Sequence, residues 1–192
     1  MARIPLEPVG HGLIVALAAR YSKRRFGKVV DPLGVVAHHR GVLLAVTAFE
    51  LGVQRWRKLD PTLQCLAVQA SAGVIGCSWC TDFGYWEAHH RGVDPAKIHD
   101  VPRWRDSDAY TPLERLVLEY AEGMTATPPA VPDELVAALR VHLDVAQLVE
   151  LTELIAVENW RSRVNAALGL ESQGFKAECE AAPSRPAVGI KG

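Results

Sequence analysis

The sequence has few cysteines, little excess charge of either sign and no long hydrophobic run. Four cysteines among 192 residues are too few for a small secreted scaffold held together by disulfides. The longest apolar runs, such as residues 13–19, are well short of the about 18 residues that a transmembrane helix needs. The formal net charge is −1 at pH 7, so no excess positive charge directs the chain to nucleic acid or an acidic membrane. We therefore expect neither a nucleic-acid nor a membrane partner.

The composition otherwise matches an ordinary globular domain. Hydrophobic residues make up 49% of the chain and charged residues 22%, which excludes intrinsic disorder. The run over residues 13–19 resembles the apolar part of a secretory signal peptide. However, Pro5, Glu7 and His11 precede it and a basic cluster follows it, which is unlike such a signal. We expect a cytoplasmic protein, in which thiols stay reduced unless they are working redox groups.

Helix signals dominate the chain. A capping side chain directly precedes a proline at Asp31, Asp60, Asp94 and Thr111, which is the arrangement of an N-cap followed by proline in the first turn. Capping boxes begin at Thr111 and Asp144, and no stretch alternates as a strand would. The predicted fold class is all-α. The predicted helices lie near 10–26, 32–38, 40–57, 61–75, 78–91, 95–100, 112–125, 132–143 and 145–169.

One motif carries candidate chemistry, the segment from Gly76 to Cys80. It lies between two apolar helical stretches, which places Cys77 at or beside the first turn of the second helix. Free backbone amides and the positive end of the helix dipole stabilise a thiolate there. Because residues at i and i+3 of a helix are neighbours at a separation that a disulfide tolerates, Cys77 and Cys80 are predicted to cycle between dithiol and disulfide.

Two other interpretations of the cysteine pair stay open at this point. The pair is compatible with half of a zinc site, although Cys65 and Cys179 form no second pair at ligand spacing. It is also compatible with two small buried hydrophobes. Cys65 lies in an apolar helical stretch and is interpreted as such a core residue, whereas Cys179 is interpreted as incidental.

The histidines do not form a predicted metal site. They occur as adjacent pairs at 38–39 and 89–90, and neighbours on a helix point about 100° apart. Glu87 and His90 form one Glu-x-x-His unit, but a di-iron site needs a second unit and further carboxylates. We interpret these histidines as surface or interface residues and predict no metal and no cofactor.

The order of features from Pro61 to Gly169 resembles the AhpD-like alkylhydroperoxidases of the carboxymuconolactone decarboxylase superfamily. The resemblance implies an all-α bundle that assembles as a homo-oligomer, either a trimer or a hexamer. It also implies an N-terminal helical extension over 1–60 packed on a core over 61–170. The segment 171–192 is small and polar and is predicted to be a tail, either loose or lying along a neighbouring subunit. The matching segments are 60–63, 76–80, 91–93, 94–98, 111–115 and 158–163.

The resemblance also implies roles for the two cysteines. Cys80 becomes the peroxidatic cysteine and Cys77 the resolving one, whereas helix-end electrostatics alone favours Cys77 as the nucleophile. The substrate is then a small peroxide or disulfide, and a thiol reductant of unknown identity completes the cycle.

The sequence departs from this family where the family has its proton relay. The family's Glu and two His positions are Cys65, Gly84 and Trp79 here. Glu87 lies on the Cys80 face of its helix but about 10 Å further along, and Asp82 points to the opposite side. Since general base catalysis contributes about 10²–10⁴-fold, a weak peroxidase is expected.

We therefore predict a thiol–disulfide oxidoreductase of AhpD-like type with weak peroxidase activity. Two alternatives are carried with it. One is a family member without catalysis that serves as an oligomeric binding or scaffold protein. The other is a carboxymuconolactone decarboxylase-like enzyme that uses a histidine.

Overall fold

The structure, a computed structural model, describes residues 2–7 and 12–181 of the chain. These residues contain ten α-helices and a 3-10 helix but no β-strand, which confirms the all-α prediction. The elements are α1 (Leu13–Phe26), α2 (Asp31–Val36), α3 (Arg40–Val53), α4 (Pro61–Ile75), α5 (Ser78–His90), α6 (Pro95–Asp100), the 3-10 helix (Val101–Asp106), α7 (Pro112–Thr125), α8 (Asp133–His142), α9 (Val145–Ala167) and α10 (Phe175–Ala181).

The helices begin at the caps that the sequence indicates, with one exception. Asp60 and Asp94 accept backbone hydrogen bonds at the starts of α4 and α6, and Thr111 and Asp144 form complete capping boxes. The prediction for Asp31 is wrong. Val30 is the N-cap of α2 and Asp31 is its first residue, and the Asp31 N–H donates instead to the side-chain oxygen of Gln173. The side chain of Gln173, distant in sequence, thus accepts a backbone N–H at the start of α2 that a local N-cap would otherwise accept.

Helix α4 lies at the centre of the bundle. It is apolar on nearly every side, and a helix of that kind must be surrounded by other elements. Helices α5, α7 and α9 pack around it, and Leu66, Ala67 and Ala72 are fully buried. This packing fixes the end of α4 and the start of α5, where the two cysteines lie.

The described part of the C-terminal segment is not the predicted tail. Residues 175–181 form α10, which packs against α5 of the same chain, and Phe175 is fully buried. The Asp82 carboxylate accepts the backbone N–H groups of Gln173, Phe175 and Lys176 at 2.9, 3.1 and 2.7 Å. Burial of Asp82 would raise its pKa, but these hydrogen bonds lower it and the net shift is downward. Residues 182–192 lie outside the described residues.

The N-terminal helices contact the rest of the bundle through few side chains. In α3 only Leu43 and Val53 are buried. The guanidinium of Arg161 on α9 donates to both carboxylate oxygens of Glu50 at 2.9 and 2.5 Å. None of the helices within residues 2–7 and 12–181 is both long and apolar enough to cross a membrane.

Candidate redox site at the start of helix α5

A tight turn between α4 and α5 places Cys77 at the N-terminus of α5. Gly76 has φ 79° and ψ 29°, a left-handed conformation that glycine adopts without steric cost. The N–H groups of Gly76 and Cys77 both donate to the carbonyl of Ala72, at 3.0 and 3.1 Å. Cys77 is the N-cap of α5, and its Sγ accepts the N–H of Cys80 at 3.2 Å. The predicted position of Cys77 is therefore observed.

Cys77 and Cys80 form a disulfide. Their Cα atoms are 5.3 Å apart, which lies within the range that a disulfide tolerates. Both residues are buried, with 2% and 5% of their surface exposed. The two other cysteines, Cys65 and Cys179, are buried as free thiols. Cys65 is the core residue predicted, whereas Cys179 packs into the main core through α10.

The positions of the family's proton relay carry no proton-accepting group. Burial raises the pKa of the Cys65 thiol to about 12. A Cβ at Gly84 would lie 3.0 Å from the side-chain nitrogen of Gln69, which donates to the carbonyl of Thr81 at 3.0 Å. The Trp79 indole N–H donates to Gln173 at 2.8 Å.

The two carboxylates nearest in sequence to Cys80 are engaged elsewhere. Glu87 accepts a hydrogen bond from Arg91 at 2.6 Å, and Asp82 holds the start of α10. Glu87 lines a small cavity of about 50 Å³ together with Cys65, Gly84, Arg91 and Arg161. This cavity holds a few water molecules at most.

Three buried polar side chains lie on one face of α9, and one of them contacts Cys80. Asn165 Nδ2 donates to Cys80 Sγ at 3.4 Å, and Ser162 Oγ donates to Glu158 Oε1 at 2.7 Å. Glu158 and Asn165 are 3% and 4% exposed, and Ser162 is fully buried. Sequence reasoning missed these three residues. Their spacing of four and three continues the register of the apolar face of α9, and that register is the signal that could have found them.

The surroundings of Glu158 act on its pKa in both directions. Burial raises its pKa to about 7, and the negative charge of Glu87 adds to the rise. The Arg161 guanidinium, 3.5 Å from Glu158 Oε2, and the Ser162 hydroxyl oppose it. A carboxyl group in this state exchanges its proton close to neutral pH.

A short N-terminal segment packs against the apolar cluster around the disulfide. Ala2, Ile4 and Leu6 pack against the cluster that contains Cys77 and Cys80. We call residues 2–7 the strap. Its Arg3 N–H donates to the Leu168 carbonyl at 2.8 Å. The strap therefore packs against the cluster that holds the two cysteines.

Two further contacts hold the strap in place. His38 Nε2 donates to the Pro5 carbonyl at 2.8 Å. A Cβ at Gly34 would lie 2.3 Å from the Leu6 carbonyl oxygen, so only glycine allows this close approach.

The histidines make local hydrogen bonds, and nothing in the described ranges suggests a metal centre. His39 accepts the Val42 N–H at the start of α3, and His90 donates to the Trp86 carbonyl. Within residues 2–7 and 12–181, no group of three or more His, Cys, Asp or Glu side chains could hold a metal ion.

Comparison with known proteins decides the family. The model of the carboxymuconolactone decarboxylase family matches residues 41–123. The uncharacterised protein YnjA of Escherichia coli K12 is 33% identical over 164 residues, which cover 85% of this chain and 90% of YnjA. This chain belongs to the carboxymuconolactone decarboxylase family. The AhpD-like resemblance seen in the sequence is thereby confirmed.

Solved structures show which proteins share the fold of this family member. An uncharacterised peroxidase-related protein from Ralstonia eutropha JMP134, described as an alkylhydroperoxidase AhpD core, has a TM-score of 0.83 and 16% identity, with 95% of this chain and 98% of that one covered. The debrominase Bmp8, solved with 2,3,4-tribromopyrrole, has a TM-score of 0.80 and 15% identity, with 94% and 98% covered. At these identities the likeness is one of fold.

Proposed function

We propose that this protein is a thiol–disulfide oxidoreductase of AhpD-like type that reduces a small peroxide or disulfide through Cys77 and Cys80. The observation that carries the proposal is the disulfide between these residues at the start of α5. Of the four cysteines, only these two form a disulfide, and Cys65 and Cys179 are free thiols. The family membership and the peroxidase-related fold support the same reaction class.

The proposed peroxide step uses both sulfur atoms of the reduced enzyme. The Cys80 thiolate attacks one peroxide oxygen, so that an S–O bond forms and the O–O bond breaks. The leaving oxygen takes up a proton and departs as an alcohol or as water. Cys77 then attacks the Cys80 sulfenic acid and releases water, and two electrons from a thiol reductant restore the dithiol.

The assignment of Cys80 as the attacking sulfur follows the family resemblance. The geometry gives Cys77 the helix-end contact, because its Sγ accepts the Cys80 N–H. That contact stabilises a Cys77 thiolate and makes it a ready resolving nucleophile or leaving group. In the Cys77→Ser variant, peroxide is expected to convert Cys80 to a sulfenic acid that a dimedone adduct reveals. An adduct that forms only on Cys77 of Cys80→Ser would reverse the two roles.

Counting thiols tests the proposed function. The reduced chain has four thiols, and one equivalent of hydrogen peroxide should remove two of them, as measured with a thiol reagent after denaturation. Cys80→Ser should abolish this paired loss, and the matched control Cys65→Ser should keep it. If the wild-type chain loses no thiols, the proposal fails and the non-catalytic binding or scaffold alternative takes its place.

We also propose that the protein works in the cytoplasm as a homo-oligomer, a trimer or a hexamer. Several large apolar side chains of α3 are exposed in the single chain, and burying them against another copy would be favourable. They are Val42, Leu44, Phe49 and Leu51. Sedimentation should show a particle larger than the 20.9 kDa chain, and a monodisperse monomer at micromolar concentration would contradict this assembly.

A further inference from the structure

Glu158 is a buried ionisable group that the proposed cysteine chemistry leaves without a role. Only 3% of its surface is exposed, and burying a carboxyl group is costly unless it is paired or neutral. Its direct partners are the Ser162 hydroxyl at 2.7 Å and the Arg161 guanidinium at 3.5 Å. Arg161 makes its shorter bonds to Glu50, so it is not a dedicated counter-ion for Glu158.

The side chains that follow Glu158 along α9 lead to the redox pair. Glu158, Ser162 and Asn165 are spaced by four and three residues, so they lie on one face of the helix. Helix α9 contacts α5, and on this face Asn165 donates to Cys80 Sγ at 3.4 Å. Buried polar side chains therefore extend from the carboxyl group of Glu158 to the neighbourhood of the Cys80 sulfur.

The charges that face Glu158 come from three helices. Arg161 lies beside it on α9, Glu87 approaches from α5, and Glu50 of α3 acts through Arg161. Glu87 is paired with Arg91 at 2.6 Å. Glu158 and Glu50 therefore share the one positive charge of Arg161. This arrangement favours uptake of a proton by the more buried of the two, which is Glu158.

We propose that Glu158 takes up and returns the proton of the Cys80 thiol, with Ser162 as the hydroxyl between them and Asn165 as the group that positions the sulfur. The proposal rests on the proposed function and identifies its proton acceptor. Glu158 takes the role for which Cys65 and Gly84 are unsuited, from a different helix.

The step moves one proton and no electrons. In the reduced protein, the Cys80 proton passes to the Ser162 oxygen over a hydrogen bond that we propose forms on reduction, while the Ser162 proton passes to the Glu158 carboxylate along the bond already present at 2.7 Å. A thiolate and a neutral carboxylic acid result. After peroxide attack, the acid returns its proton along the same path to the departing oxygen, and the carboxylate is restored. A general base is most effective when its pKa is close to the working pH, and the pKa of Glu158 meets this condition.

The test measures the protonation state of the Cys80 thiol in the absence of peroxide. Fully reduced protein is alkylated with iodoacetamide from pH 5 to pH 9, and mass spectrometry follows the Cys80 peptide. In the wild-type protein we expect the alkylation rate of Cys80 to rise with pH in a step centred near pH 7. In Glu158→Gln we expect the step to disappear and the rate at pH 7 to fall about tenfold or more.

Matched variants separate proton transfer from a structural role. Glu153→Gln makes the same change on the exposed side of α9 and should leave the profile unchanged. Ser162→Ala keeps the carboxyl group but removes the intervening hydroxyl, so it should weaken the step even if Glu158→Gln does not fold. Glu158→Asp should restore part of the step, which a purely structural role would not produce.

Two outcomes would overturn the proposal. One is a Glu158→Gln profile that superimposes on the wild-type profile or lies above it at pH 7. The other is a Ser162→Ala profile that keeps the full step. Thiol loss with peroxide is measured separately, so a failure of the redox function and a failure of this proton path give different results.

Discussion

Helix α5 has two very different neighbours. Toward α4, the positions beside the redox pair are small or apolar, and the Gln69 amide fills the space next to Gly84. Toward α9, a buried carboxyl group, a hydroxyl and an amide follow one another, and the amide contacts the Cys80 sulfur. The comparison teaches that the polar side-chain contact to the redox pair comes from α9 in this chain and not from the positions of the family motif. Proton chemistry at the pair is therefore not bound to the positions of one motif.

The largest expected effect concerns the α9 side and the pH dependence of stability. The pKa of Glu158 is raised from 4.5 to about 7 in the folded chain, so between these values the folded state binds a proton that the unfolded state has released. The stabilisation is therefore complete below pH 4.5 and is lost as the pH rises to 7. We expect the free energy of unfolding to fall by about 3 kcal/mol across this window.

Urea denaturation at pH 5 and pH 8 measures this effect. Glu158→Gln should remove this part of the pH dependence and should be the more stable protein at pH 8. Glu153→Gln, with its exposed carboxyl group, should keep the dependence of the wild type. Equal pH dependence in the wild type and Glu158→Gln would show that the buried carboxyl group is ionised throughout.

The next effect concerns the α4 side, where the family's relay can be rebuilt. The sequence suggests that Cys65→Glu with Gly84→His raises peroxide consumption. The structure adds that a side chain at 84 meets Gln69 at 3.0 Å. We expect the double variant to lose about 1–3 kcal/mol of stability through overpacking.

Adding Gln69→Ala to this double variant should recover stability and allow faster peroxide consumption. Thermal unfolding and a peroxide assay check both points. A double variant as stable as the wild type would show that Gln69 moves aside freely.

A smaller effect distinguishes the thiol of Cys65 on α4 from the thiol of Cys80 on α5. Burial raises the pKa of Cys65 to about 12, so at pH 8 almost none of it is thiolate. In folded, reduced protein we expect iodoacetamide at pH 8 to label Cys80 and to leave Cys65 unmodified, as mass spectrometry of the two peptides shows. Denatured protein, in which both thiols react, is the control. Equal labelling in the folded state would contradict the burial of Cys65.

The smallest expected effect is that of Glu87, which lies between the two sides. Its ion pair with Arg91 is half exposed, and such a pair spaced by four residues contributes about 0.3–0.5 kcal/mol. Glu87→Gln should therefore change the free energy of unfolding by no more than this. It should also leave the paired thiol loss with peroxide intact, and abolition of that loss would identify Glu87 as the proton acceptor instead.

The helix starts could be predicted from the sequence because they depend on neighbouring residues. Caps at Asp60, Thr111 and Asp144 bond to amides two or three residues away, and a local pattern contains all that such a bond requires. The position of Cys77 at the start of α5 follows in the same way, since a left-handed glycine ends α4 just before it.

The remaining features depend on residues far apart in the chain. Helix α10 is short, and the Asp82 carboxylate, more than ninety positions earlier, holds its start. A short helix gains most of its stability from such tertiary contacts. The role that we propose for Glu158 requires knowing that α9 contacts α5, and composition and spacing alone do not reveal which helices pair.

The contacts that hold the strap depend on a part of the chain that is synthesised late. Arg3 bonds to the carbonyls of Ala167 and Leu168 at the end of α9, so these contacts cannot form until α9 has been synthesised. Until then, the cysteine pair has neither the cover of the strap nor the amide of Asn165. We therefore expect thiol reagents to reach Cys77 and Cys80 more easily before α9 is in place than in the folded chain.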